Sequence, residues 1–407
     1  YLDIIDRVAP VAPTTAQNIT TEDKTINGTG EANMTIQLDF SDGRKLTGQI
    51  GSDGKFSVAI PSGFTLTGKE TISATVLDKG SNVSPSAKIT VKDTTKPVVT
   101  AIANQTKEVN TPIDSVTIVA TDNSGDAVTN SVSGLPSGVT FNSSTNTIIG
   151  TPTKVGKYTI TITSTDSSGN STTTPFTITV VDTTKPVVTP IGNQTKEVNT
   201  PINSITIIAS DNSKLAVTNN VSGLPDGVTF DSTTNRISGT PTKVGTYPIT
   251  VTSTDANGNA ITTNFTISIV DTTKPVVTPI SNQTKEVNTA IDPITIEATD
   301  NSGQPVTNSV SGLPDGVTFD RTTNKISGTP TKVGTYPITI TTTDASGNAT
   351  TTNFTIKVQD TTVPVVSSVT SQTKEINTAI DPITIVASDN SGQPVTNSVS
   401  GLPDGVT

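Results

Sequence analysis

Apolar and polar residues alternate along this chain in short runs. I-T-I-I-A-S (Ile205–Ser210), Y-P-I-T-V-T-S-T (Tyr247–Thr254) and N-F-T-I-S-I-V (Asn264–Val270) are clear examples. A period of two puts alternate side chains on one face of a strand. Such runs, bounded by turn signals roughly every 8–12 residues, mark an all-β fold. No stretch carries a helical period, so essentially no helix is predicted. Within 182–270 the pattern predicts strands near Val187–Pro190, Thr195–Val198, Ser204–Ser210, Leu215–Val221, Val228–Phe230, Arg236–Gly239, Tyr247–Thr254 and Ile261–Val270. The predicted core is Val188, Val198, Ile205, Ile207, Val221, Leu224, Val228, Phe230, Ile237, Tyr247, Ile249, Val251, Phe265 and Ile267.

The same pattern returns at a fixed interval. D-T-T-K-P begins at Asp93, Asp182 and Asp271, and D-T-T-V-P at Asp360, each 89 residues after the last. S-G-L-P (Ser133, Ser222, Ser311, Ser400) and G-T-P-T-K-V-G (Gly150, Gly239, Gly328) keep that register. A solenoid repeat is shorter than this, whereas a self-contained β-sandwich has about 100 residues. The expected organisation is therefore three complete copies at 93–181, 182–270 and 271–359. A fourth, 360–407, stops before its own G-T-P and is expected to be cut inside a repeat. Residues 12–92 are a different unit. Its Asp42-Gly43 and Asp53-Gly54 pairs, flanked by alternating apolar residues, predict two hairpins of a second small β-sandwich. Residues 1–11 read as the tail of a preceding linker. Only five residues separate Val270 from Val276, so neighbouring copies should abut in an elongated array.

Composition narrows the chemistry. The 407 residues include no Cys, no His and no Trp. That excludes Ser-His-Asp and Cys-His nucleophiles, and thiolate or imidazole metal sites. Only oxygen ligands remain, which points to calcium or magnesium. Charged residues make up 15% against roughly 25% in an average chain, and the net charge is −10. An acidic chain without Lys/Arg clusters is a poor partner for nucleic acid. No apolar run is long enough for membrane insertion, and no signal peptide opens the sequence. Thr supplies 22 of the 89 residues in 271–359, which favours strands. Paired carboxylates could in principle serve a glycosidase, but copied units without Trp offer neither an asymmetric cleft nor a stacking platform. The N-x-T triplets at Asn193 and Asn282 are what an Asn- and Thr-rich strand protein carries by chance.

The recurrent acids are the candidate site. They are the linker Asp (Asp93, Asp182, Asp271, Asp360), the T-K-E Glu (Glu108, Glu197, Glu286, Glu375) and a D-N-S step. That step is Asp122-Asn123, Asp211-Asn212, Asp300-Asn301 and Asp389-Asn390. A T-D-x-x-G-N loop adds Asp166, Asp255 and Asp344, with Asn170, Asn259 and Asn348. In a sandwich of this kind the chain enters at one pole. The second strand ends back at that pole, and the last hairpin loop lies there too. Asp182, Asp211 and Asp255 should therefore meet, with Glu108 of the preceding copy facing them. Converging carboxylate and carbonyl oxygens are how a hard cation is held. The competing reading is plain turn chemistry, because Asp and Asn are ordinary residues of tight turns. No loop matches the EF-hand pattern. Strands rich in Val, Ile and Thr with few charges also invite edge pairing, which in an adhesin could be functional.

The string S-G-L-P-D-G-V-T-F-D-x-T-T-N-x-I-S-G-T-P-T-K-V-G-T-Y, followed by T-D-A-S-G-N, resembles bacterial cadherin-like, Ig-like repeats. D-T-T-K-P-V-V-T-P-I and Q-T-K-E-V-N resemble the tandem repeats of Gram-positive, staphylococcal biofilm-associated surface adhesins. The resemblance covers Asp93–Thr407, and residues 12–92 resemble a bacterial Ig-like domain. It implies tandem immunoglobulin/cadherin-like β-sandwiches in a non-catalytic stalk anchored to the cell wall. The stalk would project an adhesive head and support cell adhesion, aggregation and biofilm. Partners would be the same protein on neighbouring cells, or host and matrix ligands through an adjacent head domain. The resemblance also implies junctional calcium, with Asp182, Asp211 and Asp255 matching the linker, second-strand and last-hairpin acids. Cadherins place a further acidic pair where this chain reads G-T-P-T-K-V-G, so one or two ions fit better than three. Similar repeats also occur as spacers in secreted carbohydrate-active enzymes, which is the alternative function.

Overall fold

The computed structural model describes residues 7–15 and 18–407, and among them every regular element is a strand. The first six residues of the expected linker tail lie outside the described residues. The described chain divides into two compact units. One comprises the described residues up to Pro186 with Ser210–Val217 and Thr254–Asn259, and the other Val187–Ala209, Thr218–Ser253 and Ala260–Thr407.

The first unit opens with a two-sheet sandwich. Thr14–Thr15, Thr25–Thr29 and Lys55–Ala59 form one sheet. Ile19–Thr20, Ala87–Lys92, Thr71–Leu77, Thr35–Phe40 and Lys45–Gln49 form the other. Alternation is strict in Thr35–Phe40, where every second residue is buried. Ile26, Ile36, Leu38, Ile72, Ala74 and Val76 fill the space between the sheets. Asp42-Gly43 closes a hairpin as expected, with Asp39 opposite Lys45 and Gly43 at φ 89°. Asp53-Gly54 does not. It carries the chain from the edge of one sheet to the edge of the other, so its flanking strands are not ladder partners. A tight Asp-Gly turn fixes a reversal of direction, and the buried faces on either side decide which sheet each arm joins.

The 89-residue copies share one plan, seen whole in 271–359 of the second unit. Ala349–Gln359 and Gly334–Thr343 form a long antiparallel hairpin flanked by Thr307–Ser311. Gln283–Glu286 runs parallel along the other side of Ala349–Gln359. Ile294–Thr295, Lys325–Gly328 and Val317–Asp320 make the facing sheet. The copy at 93–181 has the same order with the same registers.

All fourteen predicted core residues of 182–270 lie in or against one cluster. Ile202 and Ile269 are also buried in it, and Ile191 packs against it. The predicted strand Ser204–Ser210 is two pieces, Ile205–Thr206 and Ala209–Ser210. The equivalent segment of 271–359 shows why. Ile294–Thr295 pairs with Lys325–Ile326, and Ala298–Thr299 then pairs with Val276–Val277. The chain changes partners midway, while its alternation of burial continues unbroken.

Each core also holds one polar knot. Asn308 Oδ1 accepts from the buried Thr342 hydroxyl at 2.6 Å, and Asn308 Nδ2 donates to Asn324 Oδ1 at 3.0 Å. Ser164–Asn130–Asn146 and Ser253–Asn219–Asn235 repeat it.

Candidate metal centre

Three joints carry the expected acids. In each, the linker Asp, the D-N-S Asp and the hairpin-loop Asp converge: Asp93, Asp122 and Asp166; Asp182, Asp211 and Asp255; Asp271, Asp300 and Asp344. One carboxylate oxygen of each lies within 4.8 Å of the others in its group. The linker and loop acids are buried, Asp93 to 4% exposure and Asp255 to 6%. The expectation that these segments meet at one pole therefore holds for three copies. Asp360 and Asp389 also approach one another, and the charge of Asp389 adds to burial in raising Asp360. Glu286 acts on both, but among the described residues no group of three acids within 4.8 Å forms there.

Turn chemistry uses part of each carboxylate. Asp255 Oδ1 accepts from the backbone nitrogens of Asn257 and Asn259, at 2.8 and 2.9 Å, and Oδ2 accepts from Asn259 Nδ2 at 2.8 Å. The amide of Asn259 reaches on to the carbonyl oxygen of Asp182 at 3.1 Å, tying the loop to the linker. Asp211 Oδ2 accepts from the Ser213 backbone nitrogen and hydroxyl. The remaining oxygens are different. Asp182 Oδ1, Asp211 Oδ1 and Asn212 Oδ1 are buried without a hydrogen-bond donor, as are Asp93 Oδ2, Asp122 Oδ1, Asn123 Oδ1 and Asp300 Oδ1.

Electrostatics follow from that crowding. Burial, then the charges of Asp211 and Asp255, raise Asp182 above the ordinary carboxylate value, despite the bond from Asn257. Burial likewise raises Asp271, with Asp300 and Asp344 adding to it. Burial would raise Asp255 and Asp344 too, but the donors of their own loops outweigh it and hold both low. Two charges 4.8 Å apart repel by about 3.5 kcal/mol at an effective dielectric constant of about 20.

The T-K-E glutamates reach the joints but do not join the acid groups. Glu108 accepts from the backbone nitrogen and hydroxyl of Thr183 (2.8 and 3.0 Å) and from the Thr184 hydroxyl (2.9 Å). Asn212 Nδ2 adds a bond at 3.3 Å. Burial opposes ionisation, yet these donors pull Glu108 down to about 2. Glu197 binds Thr272, Thr273 and Asn301 in the same way and is also held at about 2. Glu286 binds Thr361, Thr362 and Asn390. Each Glu therefore straps one copy to the linker and D-N-S loop of the next. Its oxygens accept from the linker and D-N-S loop, and it is not among the three acids that converge at either joint.

Sequence reasoning missed a second strap. Asn110, Asn199 and Asn288 donate to the backbone oxygens of Asn212, Asn301 and Asn390, at 2.7, 2.7 and 2.5 Å. All three have positive φ, a conformation Asn tolerates better than most residues. The signal was the N of E-V-N, repeated where the backbone must turn. The first joint is built differently. There Thr21 takes the Glu position, accepting from Thr94 N at 3.0 Å and the Thr95 hydroxyl at 2.7 Å.

Comparison with known proteins agrees with this architecture. The "Putative Ig domain" family matches residues 96–181, 185–270 and 274–359, and "Bacterial Ig domain" matches 9–93. The chain belongs to the Putative Ig domain family. A curated relative, "Serine-rich adhesin for platelets" of Staphylococcus aureus (strain MRSA252), is 57% identical over 156 residues, which is 38% of this chain and 12% of that protein. The protein of the same name from strain MSSA476 is 56% identical over 156 residues, 38% of this chain and 7% of its own length. The chain thus matches only a small part of these relatives. Among solved structures, Protocadherin Gamma B7 extracellular cadherin domains 1-4 aligns with a TM-score of 0.33 at 14% identity, covering 86% of this chain and 100% of that one. The human Desmocollin-1 ectodomain gives 0.26 at 14% identity, covering 90% and 83%. Among the described residues no helix is long and apolar enough to cross a membrane.

Proposed function

We propose that this chain is a set of non-catalytic adhesion repeats of a bacterial surface protein, with joints that take up calcium. The unit boundaries we assign are 12–92, 93–181, 182–270, 271–359 and a partial 360–407. One observation carries the calcium reading. Three carboxylates converge where like charges repel, some of their buried oxygens lack donors, and a hard divalent cation with oxygen ligands resolves both costs. Asp182, Asp211 and Asp255 would hold the ion at the second joint, and Asn212 Oδ1, buried without a donor on the residue after Asp211, is a further candidate. Asp93, Asp122 and Asp166, with Asn123, would serve the first, and Asp271, Asp300 and Asp344 the third. All three acids of a group come from one copy and its own linker. The ion would fix the linker to the copy it enters, and the Glu and Asn straps would fix it to the copy it leaves.

The adhesive role rests on the named relatives, which are adhesins, and this favours the stalk over the enzyme-spacer reading. In this reading the chain lies outside the cell on a wall-anchored protein and supports attachment, aggregation and biofilm. Its partners are a second copy on another cell or a host ligand. Thermal unfolding of the full chain in EDTA and in millimolar calcium tests the joints. A ligand confined to the folded state adds about 2.7 kcal/mol at a hundredfold excess over its dissociation constant. Superimposable curves would overturn calcium binding. Cells displaying the chain that attach and clump no better than cells displaying an unrelated spacer would overturn the adhesive role.

A further inference from the structure

The hairpin loop of the second joint differs from its counterparts at one position. The T-D-x-x-G-N loops read Asp166-Ser-Ser168-Gly169, Asp255-Ala-Asn257-Gly258 and Asp344-Ala-Ser346-Gly347. Only the middle one presents Asn followed by Gly. Asn257 is exposed and lies in the turn. Gly258 has φ 92°, and nothing stands within 4 Å of where its Cβ would be. Its N–H stays within its own loop, with a long bond, 3.4 Å, to Asp255 O and a further approach to the Asp255 carboxylate. The Asn257 amide nitrogen donates to Asp182 Oδ2 at 2.5 Å, so the residue already faces the acid group. In the third joint Ser346 makes the corresponding bond to Asp271, at 3.1 Å.

We propose that Asn257 is a site of spontaneous deamidation whose product carboxylate joins Asp182, Asp211 and Asp255. The backbone nitrogen of Gly258 attacks Cγ of Asn257 and forms the new C–N bond of a succinimide. Nδ2 leaves as ammonia, carrying the proton that the attacking nitrogen gives up. Water then opens the ring at either carbonyl and leaves aspartate or isoaspartate. The net change is an amide and water to an acid and ammonia, with no oxidant or reductant. Glycine permits this because no side chain shields its nitrogen or restricts the backbone.

The chain carries its own comparator. Asn27-Gly28 has the same dipeptide, but it lies within the strand Thr25–Thr29, laddered to Ser57 and Phe56. A Cβ at Gly28 would meet the Phe56 ring and the Thr14 carbonyl oxygen. That backbone cannot fold onto its own side chain without leaving the sheet.

The change acts on a single joint. A donor to Asp182 is lost and a fourth negative charge takes its place. Without a cation the loop is pushed from the linker. With one, the new oxygens extend the ligand set, a consequence that rests on the calcium reading. The full chain, aged at body temperature and mildly alkaline pH, is digested and its peptides are analysed by tandem mass spectrometry. Asn257 should lose its amide several-fold faster than Asn27, and the peptide should be unchanged in Asn257→Ser. Equal retention at the two asparagines would overturn the proposal. Asn257→Asp should then melt lower than the parent in EDTA and gain more from calcium. Deamidation at Asn257 with no larger calcium gain in Asn257→Asp would leave the modification standing and overturn its place in the cation set.

Discussion

Replacing Asp182 by Asn should stabilise the chain without calcium and remove most of its gain from calcium. Asp182 is buried at 8% exposure, with Oδ1 lacking a donor. Its Oδ2 accepts from Asn257, and an Asn oxygen can keep that bond. The new amide nitrogen would then point into the group and donate to the unpartnered Asp211 Oδ1. Two repulsive pairs disappear, each about 3.5 kcal/mol at a separation of 4.8 Å and an effective dielectric constant of about 20. Burial and the neighbouring charges raise Asp182, in keeping with that repulsion. A net gain of roughly 1–3 kcal/mol in EDTA at neutral pH is expected. The sign with pH follows. The folded value lies above the ordinary 3.8, so ionisation disfavours the folded state once the pH exceeds both values. The advantage of Asp182→Asn should therefore vanish below the ordinary value.

In calcium the variant loses most of its advantage, and the order reverses where its gain in EDTA is below about 2.3 kcal/mol. The parent gains about 2.7 kcal/mol at a hundredfold excess of ligand, and a hundredfold loss of affinity in the variant erases nearly all of that at the joint. Calorimetry of both proteins in EDTA and in calcium reads that loss directly. A variant that melts lower than the parent in EDTA, yet keeps the full calcium shift, would refute the reasoning. Asp182 would then be a turn residue whose hydrogen bond outweighs its charge.

Glu197→Gln should loosen the third joint by roughly 1–2 kcal/mol, allowing for the half-buried position of the carboxylate, read as faster proteolysis of the linker after Asp271. Glu108 and Glu197 titrate at about 2 in the folded chain against an ordinary 4.5. Their contribution is therefore complete above pH 4.5 and lost as pH falls through about 2, and acid titration of the calcium-free chain should show it. Asn308→Leu strands the buried Thr342 hydroxyl and the Asn324 side chain, costing roughly 1–3 kcal/mol in urea unfolding. Gly312→Ala should cost more than about 2 kcal/mol, because φ is 85° and its Cβ would lie 2.2 Å from Pro337 O.

Much of the fold is legible in the sequence because burial alternates residue by residue. The buried faces of Gly245–Thr254 and Ala260–Val270 can be read straight from the letters. Ile202 and Ile191 escaped because they lie outside any alternating run, yet the chain folds back, burying Ile202 and packing Ile191 against the core. The break in Ser204–Ser210 escaped because a strand that changes partners keeps its alternation. Among the acids, topology alone brought Asp182, Asp211 and Asp255 together. It could not divide their oxygens. Whether Asp211 Oδ2 is spent on Ser213 while Oδ1 is spare depends on a side-chain torsion that no spacing encodes. The glutamates show the same limit. Their place at the joint followed from the repeat, but the threonines that consume them lie one and two residues past the linker Asp, in a motif read only as a linker.

Those threonines also decide which joint should yield first. At the second and third joints a charged carboxylate of the preceding copy gathers two backbone nitrogens, two hydroxyls and an Asn amide. An Asn strap then binds the D-N-S loop. At the first joint the Thr94 nitrogen and the Thr95 hydroxyl meet the Thr21 hydroxyl, a neutral group with far less acceptor capacity, and the Thr95 nitrogen turns to Asp93 Oδ1 within the linker itself. Asn123 donates to the Leu66 carbonyl oxygen at 3.1 Å, and Lys69 pairs with Asp126 at 2.6 Å. That ion pair is about half exposed and adds little, less still in salt. The acid group, by contrast, is complete at this joint, with Asp93, Asp122 and Asp166 all present. Its rigidity therefore depends most on the cation and least on the strap. In EDTA and moderate salt, a broad-specificity protease that needs no calcium should cut near Asp93–Pro97 before the linkers at Asp182 and Asp271. Calcium should protect the first joint most. Equal cutting at all three linkers would show that the glutamate straps contribute nothing measurable beyond what Thr21 supplies.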